Sequence, residues 1–225
     1  MMKKVFSILM AFILLLSLAA CSNSTNNGGS SSSTQESSTQ SSEPTEDQSI
    51  SSKPVSEPTD EPTEAGSKSL VVYFSWSGNT ENVAKAIQSQ TDSDIFEIVP
   101  ATPYSDDYNT VVDLAQEEQQ NNARPAISGN IENIEQYDVV YVGFPNWWGD
   151  MPMILYTFFD SYDLSGKTVA LFCTSGGSGL SNTVNEVKSL EPSATVTDGL
   201  HIGSSSASNP DNAVSEWLND IGLAK

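Results

Sequence analysis

The 225 residues carry 29 acidic side chains against nine lysines and arginines, a net of −20 at neutral pH. Such a surface repels nucleic acid and anionic lipid headgroups, so neither is expected as a partner. Two cysteines and a single histidine leave no disulfide framework and no metal-ligand spacing, which sets aside a disulfide scaffold and a metal centre.

The chain opens with Lys3 and Lys4, followed by an apolar run from Val5 to Leu18 that is too short for a comfortable membrane span. It ends in Leu18-Ala19-Ala20-Cys21, which resembles the lipobox of bacterial lipoproteins. That resemblance implies a signal peptide over 1–20 and an acylated Cys21 as the mature N-terminus, held at the outer face of the cell membrane. Residues 21–67 then form a linker of Ser, Thr, Asn, Gln, Glu and Pro, in which acids outnumber bases. With almost no large apolar side chains it cannot offset its chain entropy and is expected to be disordered. A random coil of this length reaches roughly 35–40 Å, and its Pro-Thr-Glu repeats extend it further.

Residues 68–225 are expected to be one domain. From Leu70 onward it holds 21 acids and five bases, a net of about −16. The apolar run Leu70–Phe74 reads as a buried strand, and Asn79–Gln90 as a helix with Val83, Ala84 and Ile87 on one face. A second strand is expected over Asp94–Val99 and a second helix over Tyr108–Asn121, with Asp106-Asp107 at its start and Glu117-Glu118 on a solvated face. The third strand, Val139–Gly143, is a continuous apolar run of the kind buried on both faces. Pro152 sits where the next helix begins, and Met153–Phe159 is apolar on most sides. A fourth strand over Thr168–Cys173, a helix over Leu180–Ser189, a fifth strand over Ala194–Ile202 and a closing helix over Pro210–Ile221 complete the domain. The alternation predicts an α/β fold, a doubly wound five-stranded parallel sheet with helices on both faces. Ligands in such sheets bind outside the carboxyl ends of the strands, so the loops after strands one, three and four mark the site.

Each of those loops has a distinct chemistry. Ser75-Trp76-Ser77-Gly78-Asn79-Thr80 joins a strand to a helix N-terminus, where free N–H groups and the helix dipole favour an anion. No lysine is present and the GK[ST] ending of a nucleoside triphosphatase loop is missing, so neutral donors would hold a phosphate. The second loop, Pro145-Asn146-Trp147-Trp148-Gly149-Asp150, has adjacent indoles that cannot both face a core, so at least one should stand exposed and able to stack on a planar ring. The third, Thr174-Ser175-Gly176-Gly177-Ser178-Gly179, lets backbone groups approach a ligand closely. Cys173 reads as a small buried hydrophobe, and His201 and Arg124 as structural residues.

Together these loops resemble the flavodoxin family, in particular its members with a Pro-x-Trp-Trp-Gly loop. The resemblance covers nearly all of residues 68–225 and implies the strand order 2-1-3-4-5. It implies flavin mononucleotide (FMN) as cofactor. Ser75, Ser77, Asn79 and Thr80 would bond its phosphate, with backbone help from Trp76 and Gly78. Pro145, Asn146, Trp147, Trp148 and Gly149 would flank the flavin ring, an indole stacking on it. Thr174, Ser175, Gly176, Gly177 and Gly179 would meet its pyrimidine edge. The family's usual second aromatic, in the third loop, is missing here. The flavin's outer face is therefore expected to be open, or covered by Trp147 or a partner.

Three functions are compatible with this reading. One is a membrane-tethered extracytoplasmic electron carrier, a monomer that meets a redox partner protein. The second is an FMN-dependent NAD(P)H:quinone-type reductase serving a small quinone-like acceptor at the open flavin face. The third is a flavin-free binding lipoprotein that kept the fold. Yellow colour on purification separates the third from the others, and NAD(P)H turnover with a quinone separates the second from the first.

Overall fold

The computed structural model describes residues 67–225, and the leader, Cys21 and linker expectations lie outside these residues. The elements follow as β1 (Ser69–Tyr73), α1 (Asn79–Thr91), β2 (Asp94–Glu97), β3 (Val99–Pro100), α2 (Tyr108–Gln120), β4 (Ile127–Ser128), β5 (Val139–Pro145), α3 (Met153–Ser161), β6 (Thr168–Ser175), α4 (Thr183–Leu190), β7 (Thr195–Val196), β8 (Leu200–Gly203) and α5 (Asp211–Asp220). No helix among the described residues is long and apolar enough to cross a membrane.

The main sheet is parallel throughout, in the order β2-β1-β5-β6, with β7 and β8 both paired to the far side of β6. This is the doubly wound 2-1-3-4-5 arrangement, its fifth position filled by two short segments. β1, β5 and β6 are buried along almost their whole length because they are covered on both faces. On one face Leu70, Val72, Val140, Val142, Val169 and Leu171 pack with Ile154, Leu155 and Phe158 of α3. On the other, Val71, Tyr141, Ala170 and Phe172 pack with Val83 and Ile87 of α1 and with Val214, Trp217 and Leu218 of α5. The alternation along each strand assigns these sets, since successive side chains point to opposite faces. Gly143 leaves room for its neighbour: a Cβ there would lie 2.1 Å from Phe172 Cζ.

Two strands depart from expectation. The second does not run unbroken to Val99. Pairing with β1 stops at Glu97, and the chain turns so that Val99–Pro100 forms an antiparallel pair with Ile127–Ser128. Val99 is consequently 45 % exposed rather than in the core. The fifth strand is interrupted between Val196 and Leu200, where four steps along it face the three from Val169 to Phe172 on β6, and the Asp198 carbonyl in the break accepts a bond from Trp217 Nε1 at 3.0 Å. By contrast β5 and β6 run two residues further than expected, carrying Pro145, Thr174 and Ser175 to the carboxyl edge within strands.

Asp107 caps α2 as expected, its Oδ1 accepting from Thr110 N at 2.8 Å, and the Thr110 side chain and backbone bonds lower its carboxyl below the usual range. Glu118 is not part of a solvated face. It is half-buried and accepts a bond from Tyr104 Oη at 3.0 Å. Arg124 pairs with Asp160 and lies over the Tyr156 ring. Cys173 is fully buried, and burial pushes its thiol up to about 12.

Candidate functional site

Three chain segments meet at the carboxyl edge of β1, β5 and β6 and, with one face of α2, enclose a cleft of about 540 Å³. That volume falls within the roughly 300–1,000 Å³ of small-molecule sites.

The first segment starts α1. Gly78 takes a left-handed conformation, φ 82°, which only glycine adopts freely, and its carbonyl begins the helix by accepting from Asn82 N at 3.1 Å. The N–H groups of Asn79 and Thr80 have no acceptor within the helix, as in any first turn. The N–H of Glu81 bonds to Ser75 Oγ at 3.3 Å, so Ser75 acts as a local cap. Trp76, Ser77 and Asn79 line the cleft; Ser75, Gly78 and Thr80 do not. Thr80 is 1 % exposed, and its hydroxyl lies 2.9 Å from that of Thr174. The Thr80 hydroxyl, expected at a phosphate, thus lies beneath the loop beside Thr174.

The second segment is a two-residue turn. Trp147 N donates to Asp150 O at 2.8 Å and Asp150 N to Trp147 O at 3.1 Å. Trp148 and Gly149 between them have φ of 55° and 81°. Positive φ at both central positions is the type I′ hairpin turn, common for Asn-Gly but strained for an indole. Surrounding bonds hold it. Asn146 Oδ1 accepts from Gly149 N at 3.0 Å, while Asn146 Nδ2 donates to Gly179 O at 2.8 Å and Ser181 Oγ at 3.0 Å. Trp148 Nε1 donates to Val112 O of α2 at 3.0 Å, leaving the ring 51 % exposed at the cleft. Trp147 takes a different path. Its ring meets Phe74 and Tyr104 edge-on, with centroids 5.4 and 5.3 Å away. Of the two indoles Trp148 is the one that stands out as a plate, and Trp147 is wedged as a wall rather than a cover.

The third segment curls over Ser175, whose Oγ accepts from Gly177 N at 3.2 Å and Gly179 N at 3.1 Å. Gly177 and Gly179 thus point inward at Ser175 and are not among the lining residues, while Thr174, Ser175 and Gly176 line the cleft together with Ser178. Pro145 and Asn146 line it from the end of β5.

The remaining wall was not anticipated in the sequence. Tyr108, Val111, Val112 and Ala115 present one face of α2 to the cleft, and Ser204 closes it beyond β8. Their three- and four-residue spacing is that of any amphipathic helix, so nothing distinguished a ligand-facing stripe from a core-facing one. Among the described residues no charged side chain lines the cleft. An anion here would be held by helix N–H groups and neutral side chains, and an uncharged ring by the Val111, Val112, Ala115 and Trp148 surfaces.

Comparison with known proteins agrees with this geometry. A family model described as flavodoxin matches residues 68–221. Among solved structures, a candidate flavoprotein from Bacteroides eggerthii is 36 % identical with a TM-score of 0.63, covering 69 % of this chain and 98 % of its own. A second, from Bacteroides uniformis, is 33 % identical with a TM-score of 0.62 over 68 % of this chain and 99 % of its own. A flavoprotein from Lactobacillus acidophilus in complex with FMN is 28 % identical with a TM-score of 0.55, covering 67 % of this chain and 98 % of its own. No curated protein matches the sequence. The motifs at the three loops, the sheet order and the family match over most of the chain agree: the protein belongs to the flavodoxin family.

Proposed function

We propose that this protein binds FMN in the carboxyl-edge cleft and carries electrons as a membrane-tethered extracytoplasmic flavodoxin. The observation that carries the reading is the pairing of an uncharged anion cradle, Ser77 and Asn79 at the start of α1, with an apolar slot between Trp148 and the Val111–Ala115 face of α2. A phosphate fits the cradle because the first-turn N–H groups supply charge-assisted donors and no carboxylate lines the cleft to repel it. A flat tricyclic ring fits the slot because apolar surface dominates it and the Gly176 and Ser178 backbone can meet a polar edge. FMN, when bound, supplies one- and two-electron redox chemistry; the chain binds and orients it and sets its surroundings. The excess of acids over bases disfavours added negative charge on a bound flavin, which lowers its potential.

The tether rests on the sequence. Leu18-Ala19-Ala20-Cys21 supplies the acyl anchor, and the linker that follows lets the domain reach a redox partner away from the surface. A reductase of quinone-like acceptors is the second reading. It is favoured by the third loop, which reaches the cleft with glycine and serine and leaves the open side without an aromatic cover.

The test is an absorbance titration of the full chain with FMN. Visible flavin bands that shift on binding, with a Kd at or below about micromolar, are expected; absence of binding would return the protein to the flavin-free binding class. Turnover of NAD(P)H with a quinone by the loaded protein would favour the reductase, and its absence the carrier. Cys21→Ser should release the protein from the membrane fraction, and unchanged retention would remove the lipid anchor.

A further inference from the structure

The chain's one histidine touches the third loop through a single hydroxyl. His201 Nε2 lies 2.8 Å from Ser175 Oγ, at the point where that oxygen also accepts the N–H groups of Gly177 and Gly179. A serine hydroxyl has one proton and two lone pairs. The glycine N–H groups fill both lone pairs, so the hydroxyl proton must point to Nε2. The ring nitrogen is then an acceptor, which makes the ring neutral with its proton on Nδ1. An imidazolium has no acceptor. Once His201 is protonated, Ser175 Oγ faces three donors with two lone pairs, and one glycine bond must break or the ring must turn away.

We propose that His201 is a positioning residue for the coenzyme loop, and that its protonation loosens the loop and weakens flavin binding. The loop's form depends on those two bonds: Gly177 and Gly179 turn inward at φ 154° and 65°, and Gly176 and Ser178 between them face the cleft. Ser175 is 7 % exposed, so water does not readily replace a lost bond, whereas the His201 residue is exposed and open to protons.

The surroundings of the ring are consistent with this. Its register partner on β6 is Cys173, whose thiol burial holds neutral. Leu200 and Ile202 face α5, so Asp211, Glu216 and Asp220 of that helix belong to the other side of the sheet. On the ring's own side lie α4, with Glu186 and Lys188, and the connection after it, with Glu191. Among the described residues no carboxylate oxygen comes within 4.0 Å of a His201 nitrogen. Ser175 is thus the partner that senses the ring.

The role in flavin binding rests on the FMN reading above; the latch itself does not, and the experiment separates the two. With the full chain free of flavin, imidazole nitrogen shifts near pH 8 should report the Nδ1–H tautomer. The Gly177 and Gly179 amide signals should then move with the histidine signal as pH falls toward 5. An Nε2–H tautomer, or glycine signals that ignore the histidine, would overturn the latch whether or not FMN binds. With flavin, riboflavin is the probe, since it lacks the phosphate that titrates in the same range. Its Kd should rise roughly fivefold or more between pH 8 and 5, within the usual span of coupled sites. His201→Gln keeps an acceptor that cannot be protonated and should flatten that profile, whereas His201→Leu should weaken binding at both pH values. A wild-type profile already flat, or one unchanged in His201→Gln, would overturn the coupling.

Discussion

The hydroxyls of Thr80 and Thr174 lie 2.9 Å apart although 94 positions separate them in the chain. The bond ties the first turn of α1 to the end of β6, so the loop facing the anion cradle and the loop facing the far end of the cleft share one buried contact. Both residues are nearly inaccessible, at 1 % and 4 % exposed.

Removing one partner strands the other. Thr80→Val keeps the shape but leaves the Thr174 hydroxyl buried and unpaired, at a cost of about 1–3 kcal/mol. Thr80→Val with Thr174→Val should recover most of that, because both polar groups leave together. Urea denaturation of the two variants measures the difference. Since the Thr80 hydroxyl faces Thr174, FMN and riboflavin should lose affinity equally in Thr80→Val. A loss confined to FMN would show that this hydroxyl holds the phosphate after all.

Asn146 joins the second and third loops through one amide, binding Gly149 N on one side and Gly179 O and Ser181 Oγ on the other. Asn146→Ala frees the strained Trp148-Gly149 turn to relax. The expected result is a flavin Kd at least about tenfold weaker, the size of one charge-free hydrogen-bond network lost at about 1–2 kcal/mol. Asn146→Asp should be worse, since it sets a carboxylate against the Gly179 carbonyl. Fluorescence quenching of bound flavin reads both; equal affinity in Asn146→Ala would mean the turn holds itself.

Gly143 marks a close approach inside the sheet rather than a turn. With Phe172 Cζ only 2.1 Å from where a Cβ would sit, Gly143→Ala must displace a fully buried ring. Overpacking of this kind costs about 1–3 kcal/mol. In a Phe172→Leu background the same substitution should cost less, and a double-mutant cycle by chemical denaturation yields the coupling. An additive result would mean the ring moves aside freely.

Much of the fold was legible because its signals are local. The Leu70–Phe74 run, the glycine before α1, the Asp107 cap and Pro152 ahead of α3 each act within a few residues. The loops of the site were legible for the same reason, since they follow predicted strands. What escaped detection is set by contacts across the chain. Val99 looks like a core residue until the antiparallel pair with Ser128 turns it outward. The break before β8 is a one-residue mismatch in register against β6, where Asp198 meets Trp217, 19 positions away. The α2 wall of the cleft uses the same apolar spacing that buries any helix. The bond between His201 and Ser175 needs β8 laid in register beside β6, which no pattern in either segment announces.

Glu118 supplies a pH dependence whose sign follows from its burial. Desolvation raises its carboxyl above the ordinary value of 4.5, only partly opposed by the bond from Tyr104. A raised acid binds more protons folded than unfolded between those two values, so stability falls as pH rises through that window and stays lower above it. Glu118→Gln removes the charge while keeping a carbonyl that can accept the Tyr104 hydroxyl. The variant should therefore be more stable than the wild type at pH 7, with the gap closing as pH falls through that window toward 4.5 and the wild-type carboxyl becomes neutral in both states. The side chain keeps partial access to water, so the gain should be modest. Urea denaturation of both proteins at pH 7 and pH 4 gives the comparison. A variant less stable at pH 7 would show that the ionised Glu118–Tyr104 bond outweighs the cost of burying the charge.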